Sequence, residues 1–251
     1  MALYRTEGII LRSRTLGEAD KILTIFTKEK GKIETVARGA RRPRNRLVGA
    51  SQQFSYIKML VFEGKGLDQL SQAEILRSFV TLRDDLVKMA YSSWWSEILD
   101  AFLPLGEMNS ELFLFTLAGL LVLEKVEEPA ILSRAFELRL LKYLGYEPAL
   151  DRCVRCNEDE NILPAGFSLD EGGIVCQKCW QQKPLKLLTL SSKALEVLNK
   201  LPQADLRIVS KWTIDKHLQT EIDRILISFI EFKAEKPLKS LSFLQGLLSW
   251  D

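Results

Sequence analysis

Histidine is almost missing: His217 is the only one in 251 residues. Any mechanism that needs two imidazoles is excluded, and nothing in the chain is placed to use this one. Long apolar runs are also missing. The best stretch, residues 112–123, is twelve residues long, against about 20 for a membrane span. Residues 1–10 carry Arg5 and Glu7 where a signal peptide needs an apolar run, so no export and no membrane partner are expected. No G-x-x-x-x-G-K-[ST] loop occurs, and Gly64-Lys65-Gly66 lacks the third glycine of a dinucleotide loop, which argues against nucleotide-driven chemistry. The acidic pairs Asp84-Asp85 and Glu127-Glu128 read as solvated charges, so no nuclease metal site and no enzyme activity are expected. There are no internal repeats or low-complexity linkers. With 47% hydrophobic and 27% charged residues, the chain is neither disordered nor fibrous.

What is present is unevenly distributed. Residues 1–80 hold 15 Lys and Arg against 8 Asp and Glu, a net of +7; residues 81–251 hold 20 against 25, a net of −5. A basic half joined to an acidic half points to a polyanion as partner of the first. That half reads as β. Period-2 runs cover residues 4–16, 21–27, 32–38, 54–62 and 67–75, with Gly-containing turns between several of them, which is the strand signal. Five short strands in so few residues suit a small barrel, and a nucleic-acid-binding five-stranded barrel suggests an OB-fold.

Near residue 77 the period changes to about 3.6. One helix is expected from about 79 to 102, ended by Pro104. A second spans about 111–126; apolar nearly all round, it is expected at the centre of a helical bundle. A third starts at Pro129 and stops at Gly145. Ser191 is placed to cap a short helix and Thr213 a longer one. Trp94 and Trp95 lie about 100° apart on a helix, so they are not expected to share one core. The fold class is therefore α+β: a five-stranded OB-like barrel over residues 1–78, then an all-α domain over 79–251, interrupted by a ribbon at about 150–182.

That ribbon holds every cysteine. Cys153 and Cys156, then nineteen residues, then Cys176 and Cys179 form C-x2-C-x19-C-x2-C, within zinc-site spacing. Each pair can act as a knuckle, and four thiolates close a tetrahedral shell that leaves no position for substrate. One structural Zn2+ per chain is expected; two disulfides are the alternative. Phe167 and Gly172-Gly173 suit a small β-ribbon with a tight turn. A ribbon between helices is expected to support the fold rather than read DNA.

The second constellation is Arg38, Arg41, Arg42, Arg44 and Arg46, five arginines in nine residues, with Gly39 and Pro43 among them. Guanidinium forks match phosphate geometry and stay charged. A flexible loop of this kind beside a barrel can follow a nucleic-acid backbone; a merely solvated loop has to tolerate five like charges. Arg12, Arg14 and Lys32 extend the candidate track, and Tyr56 is the candidate for base stacking.

Other residues carry a family likeness. Glu7-Gly8-Ile9-Ile10-Leu11, Gly17-Glu18-Ala19-Asp20-Lys21-Ile22, Thr24-Ile25-Phe26-Thr27, Gly31-Lys32 and Ala37-Arg38-Gly39-Ala40-Arg41-Arg42 resemble the opening of the RecO family of bacterial recombination-repair proteins. Phe136-Glu137-Leu138-Arg139-Leu140-Leu141, Leu144-Gly145-Tyr146 and Pro148 resemble its lead into the ribbon. Lys236-Pro237-Leu238-Lys239-Ser240-Leu241-Ser242-Phe243-Leu244 resembles its ending. The resemblance implies binding of single- and double-stranded DNA, annealing of complementary strands, and loading of RecA together with RecR. It also implies a pocket in the helical domain, apolar with a Lys or Arg at its rim, for the acidic tail of single-stranded DNA-binding protein, and a cytoplasmic site of action. A zinc-ribbon transcription or translation factor is the alternative reading.

Overall fold

The structure, a computed structural model, describes residues 2–158 and 164–248. Two compact units emerge: residues 2–125 with 239–248, and residues 126–158 with 164–238. Within the described residues no helix is long and apolar enough to cross a membrane.

The first unit is built on a closed barrel of β1 (Leu3–Leu16), β2 (Asp20–Thr27), β3 (Gly31–Ala37), β4 (Tyr56–Phe62) and β5 (Asp68–Arg77), in the order β1-β2-β3-β5-β4. All pairings are antiparallel except β3 with β5, where Thr35 meets Asp68 and Val36 meets Gln69. A short helix, α1 (Leu47–Ala50), lies between β3 and β4. This is the OB topology, whose closure leaves no free sheet edge around the ring. Alternation fills the interior: Ile10, Leu23, Ile25, Ile33, Ile57, Met59, Val61 and Leu70 form its core.

On the outside of the barrel, Ile9, Leu11 and Phe26 are also buried, because helices cover that side. The expected helix over 79–102 is two: α2 (Val80–Asp84) and α3 (Leu86–Phe102). Asp85 separates them, its carboxylate accepting from the backbone N–H groups of Val87 and Lys88; this is an N-cap, not a merely solvated charge. α3 packs on β1, and α10 (Lys239–Leu248) packs on α3. Trp94 and Trp95 are both fully buried, which is possible for adjacent helix positions because α3 has neighbours on two sides, β1 and α10. The α10 helix carries no cap signal of its own in the sequence. Its first N–H groups are held by Glu97 of α3, which accepts from Lys239 at 3.0 Å and Ser240 at 2.7 Å.

α4 (Ser110–Leu123) is not the centre of a bundle. It lies against the barrel, with Phe113 edge-on to Phe26 at 5.6 Å, while Leu114 is exposed. The apolar surface it needed was the outside of a sheet. The buried helix is α5 (Ala130–Tyr143) of the second unit, which buries ten residues including Arg134 and Glu137. Around it stand β6 (Pro164–Ser168), β7 (Gly173–Cys176), α6 (Gln177–Gln182), α7 (Ser192–Lys200), α8 (Leu206–Val209) and α9 (Lys216–Ala234). Ser191 caps α7 as expected. α9 is capped by Asp215 rather than Thr213: its carboxylate accepts from the Leu218 N–H. His217 is exposed.

Candidate nucleic-acid interface and metal centre

The arginines of the 38–46 segment lie at the surface, but the segment is a pinned series of turns rather than a flexible loop. Gly39 sits at φ +67°, and a Cβ there would come within 2.5 Å of the Asn45 side-chain amide, so a side chain is strained at this position. The Gly39 N–H donates to the Asp20 carboxylate at 2.7 Å. Arg41 donates from its backbone to Ala19 and from its guanidinium to Gly17. Asn45 accepts from the Leu47 N–H and donates to the Arg38 carbonyl. The loop and the β1–β2 turn are thus one basic ridge. Asp20, an acid among cations, is the tie that sequence reading missed.

Asp20→Ala separates order from charge. By charge alone, losing an anion strengthens binding to a polyanion. If the ridge must be held in shape, the same change weakens it, because each complex then bears the cost of ordering the loop. The expected result is weaker single-strand binding together with about 1.5 kcal/mol less stability, the scale of a hydrogen bond to a charged group. Tighter binding would show that the tie is irrelevant.

The remaining sequence candidates lie elsewhere on the barrel. Arg14 pairs with Glu34 at 3.1 Å, and Arg12 approaches Asp100 at 3.9 Å. Lys32 is buried, its ammonium held by the Asp100 carboxylate at 3.2 Å and the Asp100 carbonyl at 2.6 Å. It is a tie between β3 and α3. The Tyr56 ring packs near Phe113 and its hydroxyl donates to Glu7. Burial first, then that hydrogen bond, push its phenol up to about 12. Among the described residues, Arg5, Arg38, Arg42, Arg44, Arg46 and Lys58 have no side-chain hydrogen bond or ion pair. Arg5 and Lys58 lie outside the arginine run and were missed, because neither belongs to a cluster in sequence.

In the second unit, the cysteines converge. All four sulfurs lie within 4.8 Å of one another, and Cys156 Sγ is 3.8 Å from Cys176 Sγ. That separation excludes a disulfide between these two, since a bonded pair sits at about 2.05 Å. It equals the edge of a sulfur tetrahedron around a metal with bonds of about 2.3 Å. The first knuckle turns through Asn157 at φ +61°. The second is the start of α6, where the Cys179 N–H points at Cys176 Sγ. Burial opposes the Cys153 thiolate, yet backbone N–H groups of Cys156, Cys176 and Arg155 outweigh it and bring the thiol down to about 6. Cys179 goes the other way: burial and then hydrogen bonds with the neighbouring sulfurs push it up to about 12. Four sulfurs this close cannot all ionise alone, and a divalent cation removes that conflict. The donor set fits a closed four-thiolate metal shell.

The ribbon carrying these knuckles is part of the unit's core. β6 and β7 pair as the antiparallel hairpin expected from Phe167 and Gly172-Gly173. Phe167, Ile174 and Val175 are buried, and Phe167 meets Phe229 of α9 edge-on at 5.5 Å. The same unit has a cavity of about 450 Å³ lined by Leu138, Leu150, Leu198 and Pro202 with Lys142, but also by Glu147 and Asp151. Lys142 is already paired with Glu147 at 3.4 Å, so this cavity is poorly suited to an acidic peptide.

Fold and site together define a class: an OB barrel with a basic ridge, carried with a helical unit that holds a four-cysteine ribbon. Comparison with known proteins narrows it. Residues 1–79 match the family description Recombination protein O N terminal, and residues 83–242 match Recombination protein O C terminal. The DNA repair protein RecO of Symbiobacterium thermophilum is 42% identical over 99% of this chain and 99% of its own length. The RecO proteins of Desulforamulus reducens and Pelotomaculum thermopropionicum are 34% and 35% identical, over 98% and 97% of this chain and 96% and 94% of their own lengths. The chain belongs to the RecO family of DNA repair proteins, and its role is in DNA repair and recombination.

Proposed function

We propose that the protein is a recombination mediator of the bacterial cytoplasm. It binds single- and double-stranded DNA through the barrel and anneals complementary strands. With RecR it helps RecA load onto strands coated by single-stranded DNA-binding protein. The observation that carries this reading is the ridge of exposed arginines pinned to an OB barrel, where the guanidinium groups of Arg38, Arg42, Arg44 and Arg46 are left to hold phosphates. Holding one strand by its backbone leaves the bases open to a complement and offsets the repulsion between two polyanions. No covalent step is needed, and none is assigned. The four-cysteine centre holds one Zn2+, which closes the shell with four thiolates and supplies rigidity rather than catalysis. RecR and the acidic tail of single-stranded DNA-binding protein are proposed as partners on family membership.

A fluorescence annealing assay on bare and coated complementary strands, with a cleavage control, tests the reading. Annealing without cleavage is expected, and it is expected to fall in an Arg41→Ala, Arg42→Ala, Arg44→Ala variant. Cleavage would indicate an enzyme. Sequence-dependent binding without annealing would favour a transcription or translation factor.

A further inference from the structure

Arg38 and Arg46 of the arginine ridge line one side of a cleft of about 690 Å³ in the barrel unit. We propose that single-stranded DNA threads this cleft, with Arg5 and Lys58 as further phosphate contacts, and runs on to Phe62, which lies beyond the cleft lining at the end of the same outer strand row and is the platform on which a base stacks. The proposal deepens the DNA-binding reading and rests on it.

The register of β1 with β4 makes the case. Its outer row runs Ile9↔Tyr56, Glu7↔Lys58, Arg5↔Leu60, Leu3↔Phe62. At the Tyr56 end the row is covered: Ile9 is buried and Tyr56 lies near Phe113. At the other end it is open: Phe62 is 38% and Leu3 52% exposed. The same division holds for charge. Cations toward the helices are paired, Arg12 and Lys32 with Asp100. Four cations that line the cleft, Arg5, Arg38, Arg46 and Lys58, have no partner among the described residues, and they face one lining carboxylate, Glu74. Unpaired cations around Leu60 of the outer row suit a backbone held by its phosphates with bases turned inward. The volume is that of a small-ligand site, about 300–1,000 Å³. A duplex keeps its bases stacked inside and offers none to Phe62.

Two variants of the full chain test this, each checked for native melting: Arg5→Gln with Lys58→Gln, and Phe62→Ala. Binding of fluorescent single-stranded and duplex oligonucleotides is titrated against salt. The charge variant is expected to flatten the single-strand slope by about 1.4, two contacts at roughly 0.7 each. Phe62→Ala is expected to weaken single strands about tenfold, within the range for a stacked base, with the slope unchanged and duplex binding unaltered. An unchanged slope in the first variant and unchanged affinity in the second overturn the cleft path. If Arg41→Ala, Arg42→Ala, Arg44→Ala still weakens binding, the arginine ridge survives that result. If this variant too binds like wild type, the DNA-binding reading of the barrel fails with it.

Discussion

Replacing Arg134 by methionine is expected to cost about 3–5 kcal/mol. Arg134 is fully buried on α5. Its guanidinium meets Glu137 at 2.6 Å and Asp223 of α9 at 3.0 Å. Ser133 and Gln219 donate to the same two carboxylates. Without the cation, two buried carboxylates have no counter-charge in a medium that punishes them. Against a total stability of about 5–15 kcal/mol, that is enough to unfold a large share of the protein at working temperature. The loss depends on pH in a definite direction. Burial already raises the Asp223 carboxyl above its ordinary range, with Arg134 opposing the shift; removing Arg134 leaves burial unopposed. A carboxyl whose folded pKa exceeds its unfolded value stabilises the fold while protonated and loses that contribution as pH rises. The deficit is therefore smallest below about pH 4 and widens toward neutrality. Thermal melts of wild type and Arg134→Met across that range check it; a deficit independent of pH contradicts the ion cluster as its source. Arg134→Lys keeps charge but loses the fork, so it is expected to recover only part.

Removing the metal is expected to have an effect at least as large. Structural zinc in small sites is bound by about 10–16 kcal/mol, and here the knuckles anchor a hairpin whose Phe167, Ile174 and Val175 lie in the core of the second unit. Cys176→Ser removes a buried ligand, and the serine has no thiolate to replace it. The expected outcome is loss of about one zinc per chain, protease sensitivity in the second unit, and lower solubility. Single-strand binding by the barrel is retained, since the arginines belong to the other compact unit. Elemental analysis, limited proteolysis and oligonucleotide binding on the same preparation read all three. Protein purified without chelator and free of zinc contradicts the assignment.

Much of this is legible in the sequence where the signal is local. Period-2 runs mark each barrel strand, and the cysteine spacing alone brings four sulfurs to one point. The arginine run announces itself by density. Long-range pairing is not legible. The parallel contact of β3 with β5 closes the barrel, yet no local pattern encodes it. Arg5 and Lys58 look like ordinary outward residues of two strands until the register sets Arg5 beside Leu60 and Lys58 beside Glu7. Lys32 alternates like a solvent-facing residue, but α3 covers it and turns it into a tie to Asp100. The apolar girth of α4 does signal a need for cover; a sheet, rather than helices, meets it. α5 looks less buried because Arg134 and Glu137 break its apolar pattern, and those two side chains answer each other inside.

The central claim is that the arginine ridge holds DNA by its phosphates. A salt titration of single-strand binding for wild type and for Arg41→Ala, Arg42→Ala, Arg44→Ala tests it most directly. Five loop arginines predict a slope of log K against log salt of about −3.5, or about −5 with Arg5 and Lys58 included. The variant is expected to be flatter by about 2, with all sequences weakened alike, because phosphate contacts carry no base information. Its melting temperature is expected to stay near wild type apart from the Arg41 tie to Gly17, since exposed charges contribute little to stability. Unchanged slope and unchanged affinity would contradict the account and assign the ridge to an acidic protein partner instead.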